Sequence, residues 1–184
     1  LDVAPSLTLG PVLVPSPAAE AGVTFPLTAQ ALGGVAPLTY RWQLGTLVEV
    51  GVGLAELTYT PAMAGSVNGT LEVSDAAGAR AFQPLSLPVV PHLSLSLGAS
   101  ATAVDEGFPV SFEATASGGY GNLSYRWAIP AGLSSSAQGP FATASPATPG
   151  RYVIGLTVQD GLGAIAQSAL VLTVDPPLSL AVSL

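Results

Sequence analysis

Residues suited to acid–base or nucleophilic catalysis are scarce in this chain. His92 is the single histidine among 184 residues, and a serine nucleophile would need it within hydrogen-bond reach as a general base. It stands instead in a proline-bearing connection, next to Pro91. Asp105 and Glu106 are adjacent, so on an extended strand their side chains would face opposite ways. We therefore expect no catalytic residues, no cofactor and no enzymatic activity.

Carboxylates are also the usual ligands of calcium, which takes six to eight oxygens, several of them from Asp or Glu. Asp75 and Asp160 recur at equivalent positions of the repeat described below, and each begins an Asp-x-x-Gly sequence. An Asx turn between two strands accounts for this pattern without a metal. The chain has no cysteine, which excludes thiolate zinc sites and disulfides. We expect no metal site.

Charge and proline content exclude two further classes. The formal net charge is −7, from 11 acidic against 4 basic residues, whereas a nucleic-acid-binding surface needs clustered Lys and Arg. Residues 81–104 contain no Asp, Glu, Lys or Arg, but Pro84, Pro88 and Pro91 interrupt them. A membrane-spanning helix needs about 20 continuous apolar residues. We expect neither nucleic acid as a partner nor a transmembrane segment.

The chain repeats itself at a spacing of 85 residues. Residues 22–92 align without a gap with residues 107–177, and about a third of the positions are identical. Self-similarity at a fixed period marks an array of like units. We assign residues 7–90 and 91–176 to two full repeats. Residues 1–6 then belong to the tail of a preceding repeat, and residues 177–184 to the first strand of a following one.

Within each repeat the apolar residues alternate with polar or small ones. In the second repeat Tyr152, Ile154, Leu156 and Val158 occupy every second position, which is the period of a β-strand. Turn sequences rich in Gly, Pro and Asp separate such segments every 8–12 residues or so. The pattern predicts an all-β chain of two tandem, seven-stranded immunoglobulin-like β-sandwiches.

The residues shared by the two repeats resemble a known family. A glycine pair, a Tyr-Arg-Trp triplet, a Pro-x3-Gly and a Leu-x-Val-x-Asp-x2-Gly-Ala run occur in this order in both repeats. This order resembles the PKD-type immunoglobulin-like domain, a repeat of bacterial and archaeal surface proteins. The family usually has an acidic, glycine-containing turn after its Trp, where this chain has residues 43–46 and 128–131. The resemblance implies an extracellular or cell-surface, secreted protein.

The aromatic residues of the triplets allow two interpretations. Tyr40 and Trp42, like Tyr125 and Trp127, are two residues apart, so both rings of a pair share one face of a strand. That face is either a sugar-binding platform or the core. Because neighbouring apolar residues alternate in the same phase, we predict the core. The intervening Arg41 then points outward, where it can pair with a glutamate on the adjacent strand.

Two sequence triplets fit the acceptor pattern for N-linked glycans. They begin at Asn68 and Asn122, and both asparagines fall on outward or loop positions. Neither triplet recurs in the other repeat, and such triplets also arise by chance. We keep both as candidate glycosylation sites.

The last strands of the two repeats differ in how well they are protected against pairing. The first contains Pro84 and Pro88, whereas residues 169–174 have neither proline nor charge. Unprotected apolar edges are templates for another strand. We predict an assembly edge in the second repeat, and the alternative is that its own domain covers that edge. The residues of this edge are Ala169, Val171 and Thr173, with Leu178 and Leu180 supplying the incoming strand.

These observations favour a structural repeat of an extracellular filament, stalk or fibre protein. It would act by rigid stacking and self-association with further copies of the same repeat, with glycans as another candidate partner. The alternative is an adhesin or accessory module that binds polysaccharide or protein. Residues 43–57 share no identity with residues 128–142, so a partner-specific contact would lie there, with sequence drift as the other explanation.

Overall fold

The computed structural model describes residues 5–14 and 17–178 and divides the chain into two compact units, Leu1–His92 and Leu93–Leu184. Every regular element in the described residues is a β-strand. Within the same residues there is no helix long and apolar enough to cross a membrane. The expected all-β class of tandem immunoglobulin-like sandwiches is therefore confirmed.

Within its described residues, the first unit contains nine strands in two layers. They are β1 (Thr8–Leu9), β2 (Ala19–Glu20), β3 (Phe25–Thr28), β4 (Ala31–Leu32), β5 (Thr39–Leu44), β6 (Leu47–Val52), β7 (Glu56–Tyr59), β8 (Gly65–Ser74) and β9 (Arg80–Val90). One layer is a five-stranded sheet in the order β2-β9-β8-β5-β6. The other consists of the pairs β1-β4 and β3-β7, with a bridge between Leu13 and Thr28.

The second unit, as far as residue 178, contains eight strands in two four-stranded sheets. They are β10 (Ser94–Ala99), β11 (Ala103–Asp105), β12 (Val110–Ser117), β13 (Ser124–Ala128), β14 (Leu133–Gln138), β15 (Phe141–Pro146), β16 (Gly150–Gln159) and β17 (Ile165–Asp175). The sheet orders are β10-β12-β15-β14 and β11-β17-β16-β13.

Both strand numbers exceed the predicted seven because some predicted strands are divided. The first strand of each unit changes sheets partway along, which gives β1 and β2 in one unit and β10 and β11 in the other. In the first unit the second strand is also split into β3 and β4. Counted as whole strands, each unit has the seven positions of an immunoglobulin-like sandwich.

Alternating apolar residues from the two layers form the core of each unit. In the first unit Trp42, Leu71 and Val73 are fully enclosed, and Leu27 packs against them from the opposite layer. In the second, Phe112 and Val110 of one sheet meet Ile154 and Leu172 of the other. Burial of these side chains on the inner faces is the main favourable contribution to folding.

The strand that crosses between the layers takes a different partner in each unit. We call β6 and β14 the crossover strands. In the first unit β6 pairs with β5, so it extends the five-stranded sheet. In the second unit β14 pairs with β15, so it belongs to the opposite sheet. The two crossover strands lie within the segments that share no identity.

Candidate functional site

The recurring aspartates are structural clamps in both units. Asp75 Oδ1 accepts hydrogen bonds from the amides of Ala77 (3.0 Å) and Ala79 (2.8 Å), and its Oδ2 accepts one from Val35 (3.0 Å). Asp160 makes the same three bonds to Leu162, Ala164 and Tyr120, at 2.9, 2.8 and 2.8 Å. The carboxylate therefore closes its own turn and ties that turn to a second loop.

The second loop contains the glycine pair that recurs in both units. Gly34 and Gly119 have φ values of +78° and +74°, a conformation that residues with a Cβ rarely adopt. A Cβ at Gly119 would lie 3.1 Å from the Asp160 carboxylate, and one at Gly34 would lie 3.3 Å from the Asp75 Cβ. The glycines and the aspartate thus form one closely packed unit, which explains why the sequence repeats them together.

The hydrogen bond from the Val35 amide is the main cause that holds the pKa of the Asp75 carboxyl below its ordinary value of 3.8. Burial opposes this effect, and the amides of Ala79, Ala77 and Gly78 add to it. A carboxylate used in this way accepts backbone amides and has no role in acid–base chemistry. No group of three or more His, Asp or Glu residues suited to a metal ion occurs within residues 5–14 and 17–178.

The aromatic pairs face the core, but the second pair is less enclosed than the predicted core role implies. Tyr40 is 7% exposed and Trp42 is 0% exposed, whereas Tyr125 and Trp127 are only partly buried. The reason is the crossover strand: β5 has a partner on each side, and β13 is the last strand of its sheet. Trp127 still packs on Phe112, with ring centroids 6.3 Å apart.

Each tryptophan donates one hydrogen bond to the stretch of chain that contains the crossover strand, and the two bonds are at equivalent positions of the repeat. Trp42 Nε1 donates to the Leu54 carbonyl at 2.9 Å, and Trp127 Nε1 donates to the Gly139 carbonyl at 3.0 Å. Leu54 and Gly139 are equivalent positions of the repeat. The indole therefore fixes the same point of the chain in both units, although the flanking strands belong to different sheets.

The charged side chains of the first unit form surface ion pairs. Arg41 lies opposite Glu72 in the strand register, as predicted, but their charged atoms are 4.0 Å apart. Glu72 is closer to Arg80, at 2.8 Å. His92 Nδ1 lies 2.7 Å from Glu20 Oε1. These contacts are exposed on at least one side, so each contributes at most about 1 kcal/mol to stability.

The two candidate glycosylation sites differ in their surroundings. Asn68 lies within β8, and its Oδ1 accepts a hydrogen bond from Ser86 Oγ at 2.9 Å. Asn122 is exposed in the loop that precedes β13, and Ser124 of the same triplet donates from Oγ to the Gln159 carbonyl at 3.2 Å. Of the two, Asn122 leaves more room for a glycan because it is not engaged in a strand.

The predicted assembly edge on β17 is partly closed by its own domain. β11 pairs in parallel with the end of β17, and the Thr173 amide donates to the Thr102 carbonyl at 2.8 Å. Thr173 is therefore not a free edge position, which corrects the prediction. Ala169 and Val171 precede the stretch of β17 that pairs with β11. Leu178 is 98% exposed, and Leu180 lies outside the described residues.

An apolar strand edge that the sequence analysis missed lies in the first unit. Val48, Val50 and Val52 of β6 are 47%, 58% and 69% exposed, and we call these three residues the valine edge. β6 is the last strand of the five-stranded sheet. The alternation of three valines indicates a strand, but the sequence does not show that this strand would lie at an edge.

An open groove of about 640 Å³ lies beside the start of β6. It is lined by the turn that joins β5 to β6, by residues 58–60 and 62–64, and by the start of β8. Its described lining is made of apolar, glycine and hydroxyl-bearing residues together with the amide of Asn68. Tyr59 is the one titratable side chain in this described lining. The groove therefore offers no acid–base pair.

A protein-family model matches the second unit of this chain. The family model of the PKD domain matches residues 94–173. A search of curated protein sequences finds no match.

Solved structures show the same fold at low identity. The N-terminal eight Ig domains of Down Syndrome Cell Adhesion Molecule are similar at 16% identity and a TM-score of 0.54, over 92% of this chain and 25% of that one. A C-terminal fragment of intimin, solved with a domain of the translocated intimin receptor, has 15% identity and a TM-score of 0.54, over 88% and 63%. The fibronectin(III)-like modules of Clostridium thermocellum CbhA have 18% identity and a TM-score of 0.46, over 90% and 94%.

Proposed function

We propose that this tandem of immunoglobulin-like sandwiches, the second of which is a PKD domain, is a structural repeat of an extracellular or cell-surface filament, stalk or fibre. It acts by stiff stacking of units and by self-association, without catalysis. The observation that carries the proposal is the length of the connection. Val89 belongs to the core of the first unit and is 4% exposed, and Leu93 belongs to the core of the second and is 3% exposed.

Three residues separate these two buried side chains. One of them is Pro91, whose ring fixes φ and stiffens the backbone. Another is His92, whose imidazole is held against Glu20 of the first unit. A short connection with a proline supports the stiff stacking of units that we propose. We propose that further repeats continue the array.

The composition supports association between copies. Only 8% of the residues are charged and 49% are apolar, whereas an ordinary domain has about 25% charged residues. The outer faces therefore carry mainly Ser, Thr, Ala and Val, and covering such faces with a neighbouring copy costs little desolvation. On β17, Ala169 and Val171 remain candidates for a contact that Leu178 and Leu180 of a further copy would make.

The alternative function is an adhesin or accessory binding module. Its support is the exposed outer face of the first unit, where Phe82 is 59% exposed and lies opposite Glu72 in the register of β8 and β9. Intimin, which has this fold, was solved in complex with a receptor domain. Under this alternative, substitution of Phe82 by Ala would abolish saturable binding of a polysaccharide or protein.

Small-angle X-ray scattering of the whole chain tests the proposed function. The proposal predicts one extended profile, identical in calcium and in chelator, because no metal is needed at the connection. Replacement of Pro91 by a Gly-Ser-Gly insert is the matched variant, and it should broaden the distance distribution. If the unmodified chain already scatters as a flexible pair, or compacts when calcium is removed, the proposal of stiff stacking is wrong.

A further inference from the structure

The valine edge combines exposed apolar side chains with unpaired backbone. β6 pairs on one side with β5, from Leu44 opposite Leu47 to Thr39 opposite Val52. In the part of the chain that the structure describes, no strand pairs with its other side. An edge of this kind invites pairing with another chain unless charge, proline or a bulge protects it.

The backbone of the valine edge is in the correct phase for such pairing. The amide of Gly53 donates to the Leu38 carbonyl, back toward β5, at 3.0 Å. Along an antiparallel strand, alternate residues direct both backbone groups to the same side. Val48, Val50 and Val52 therefore direct their N–H and C=O groups away from β5. The same three residues supply both the side-chain stripe and the free hydrogen-bonding groups.

The edge also lacks the protection that other strands of this chain carry. β9 contains Pro84 and Pro88, and the second unit's crossover strand β14 has Ser135 and Ala137 at the positions equivalent to Val50 and Val52. β6 contains no proline, and its single charged residue is Glu49. The charge on Glu49 constrains how a second copy could pair.

We propose that the valine edge is a contact between two copies of this chain, which pair antiparallel about a twofold axis at Val50. In this register Val50 faces its counterpart and Val48 faces Val52 of the other copy. Six valines then form one stripe, and the two five-stranded sheets become continuous. Each Glu49 faces Gly51 of the other copy, so no like charges meet. The proposal rests on the self-association that the proposed function includes.

The register with its twofold axis at Glu49 is unfavourable because it brings like charges together. An axis at Glu49 would also align the free backbone groups, but it would place the two Glu49 side chains directly opposite each other. Like charges on directly opposed strand positions are destabilising. A second copy pairing about Val50 avoids this repulsion.

Disulfide trapping tests the register, since the chain has no cysteine of its own. Directly opposed residues of a hydrogen-bonded antiparallel pair have Cα atoms about 5.5 Å apart, within disulfide range. Under mild oxidation, Val50→Cys should form a covalent dimer, whereas Val48→Cys and Val52→Cys, each alone, should not. Ser135→Cys on β14 is the matched control for random collision. Equal cross-linking at all four positions would overturn the proposal.

Sedimentation equilibrium of the full chain tests the contact without cross-linking. The unmodified chain should dimerise reversibly with rising concentration. Val50→Glu should weaken the dimer at least about tenfold, because two glutamates would meet at the axis, while each can still pair with Arg41 of its own chain. Ser135→Glu adds the same charge on β14 and should leave the dimer unchanged.

The outcomes distinguish this proposal from the proposed function. A dimer that Val50→Glu does not weaken overturns the valine edge alone, and self-association must then use another surface. A chain that stays monomeric overturns both the valine edge and self-association. The stiffness of the tandem is tested separately by scattering at concentrations where the chain is monomeric, because that property does not depend on β6.

Discussion

The two units share the features that recur in the sequence and differ most in the route of the crossover strand. Both have the aspartate clamp, the glycine pair and the tryptophan whose indole bonds an equivalent carbonyl. Between that tryptophan and the next shared strand the chain takes two routes, along β5 in the first unit and along β15 in the second. The fold therefore tolerates either route, and the local turn sequence selects one.

The position of the tight turn explains the choice. In the first unit Gly45 and Thr46 follow β5 directly, Gly45 has a φ of +56°, and the chain returns along the same strand as a hairpin. In the second unit Pro130 follows β13, and proline cannot donate to a ladder. The tight turn comes later, at Gly139 and Pro140, and joins β14 to β15.

The choice of route has consequences for burial and for the surface. Where β6 flanks β5, Trp42 is enclosed and the unit gains a new apolar edge. Where β14 joins the other sheet, β13 stays an edge strand and Trp127 remains partly exposed. The route of one segment therefore determines both the stability of the aromatic core and the surface offered to other copies.

The largest expected difference between the units is the cost of removing each tryptophan. Trp42→Ala should destabilise the first unit by about 3–5 kcal/mol, the range for a fully buried aromatic. Trp127→Ala should destabilise the second unit by clearly less than this, because Trp127 is only partly buried. Urea unfolding followed by circular dichroism measures both. Equal losses would contradict the link between crossover route and core burial.

The aspartate clamp should matter in both units, and more where it is buried. Asp160 is 7% exposed, and Asp160→Ala leaves three backbone amides without their acceptor, which should cost about 1–3 kcal/mol. Asp160→Asn keeps the Oδ1 acceptor for Leu162 and Ala164 and should cost less. The urea midpoint of the second unit is the measurement, and a neutral Asp160→Ala would mean that water replaces the carboxylate.

Backbone strain in the turn between β5 and β6 should disturb the hairpin that these two strands form in the first unit. Gly45→Val places a β-branched residue at positive φ, at a cost of about 1–2 kcal/mol. The matched change at Gly132, which has a φ of +96°, strains a turn that precedes β14 and should leave β6 unaffected. Amide chemical shifts of residues 47–52 report the effect. If Gly45→Val leaves them unchanged, another feature directs the hairpin.

The smallest expected effect is a pH dependence of the first unit. Because folding lowers the pKa of Asp75, its stabilising contribution is complete above the ordinary value of 3.8 and is lost as the pH falls through the folded-state pKa. The urea midpoint should therefore fall as the pH is lowered below the ordinary pKa of 3.8. Asp75→Asn removes this titration, and its midpoint should fall less as the pH is lowered in the same way.

The sequence was sufficient for the features that the two units share. Alternating residues placed Tyr40 and Trp42 on the inner face, and the recurring Asp-x-x-Gly identified the Asx turns, because these depend on local spacing. The crossover route could not be predicted, since residues 43–57 and 128–142 offer strands of similar length to either sheet. The closure of Thr173 by β11 is the alternative that the sequence left open. The sequence could not select it for a related reason: the first strand changes sheets, and parallel pairing over so few residues leaves no pattern.

We propose that the crossover strand of the first unit, β6, pairs with a second copy and that the crossover strand of the second unit, β14, does not. Residue-resolved amide hydrogen exchange, measured at low and at high protein concentration, distinguishes the two strands. The amides of Val48, Val50 and Val52 should become protected as concentration rises, while those of Ser135 and Ala137 on β14 should not change. Protection that is independent of concentration at Val50, or that rises equally on β14, would contradict it.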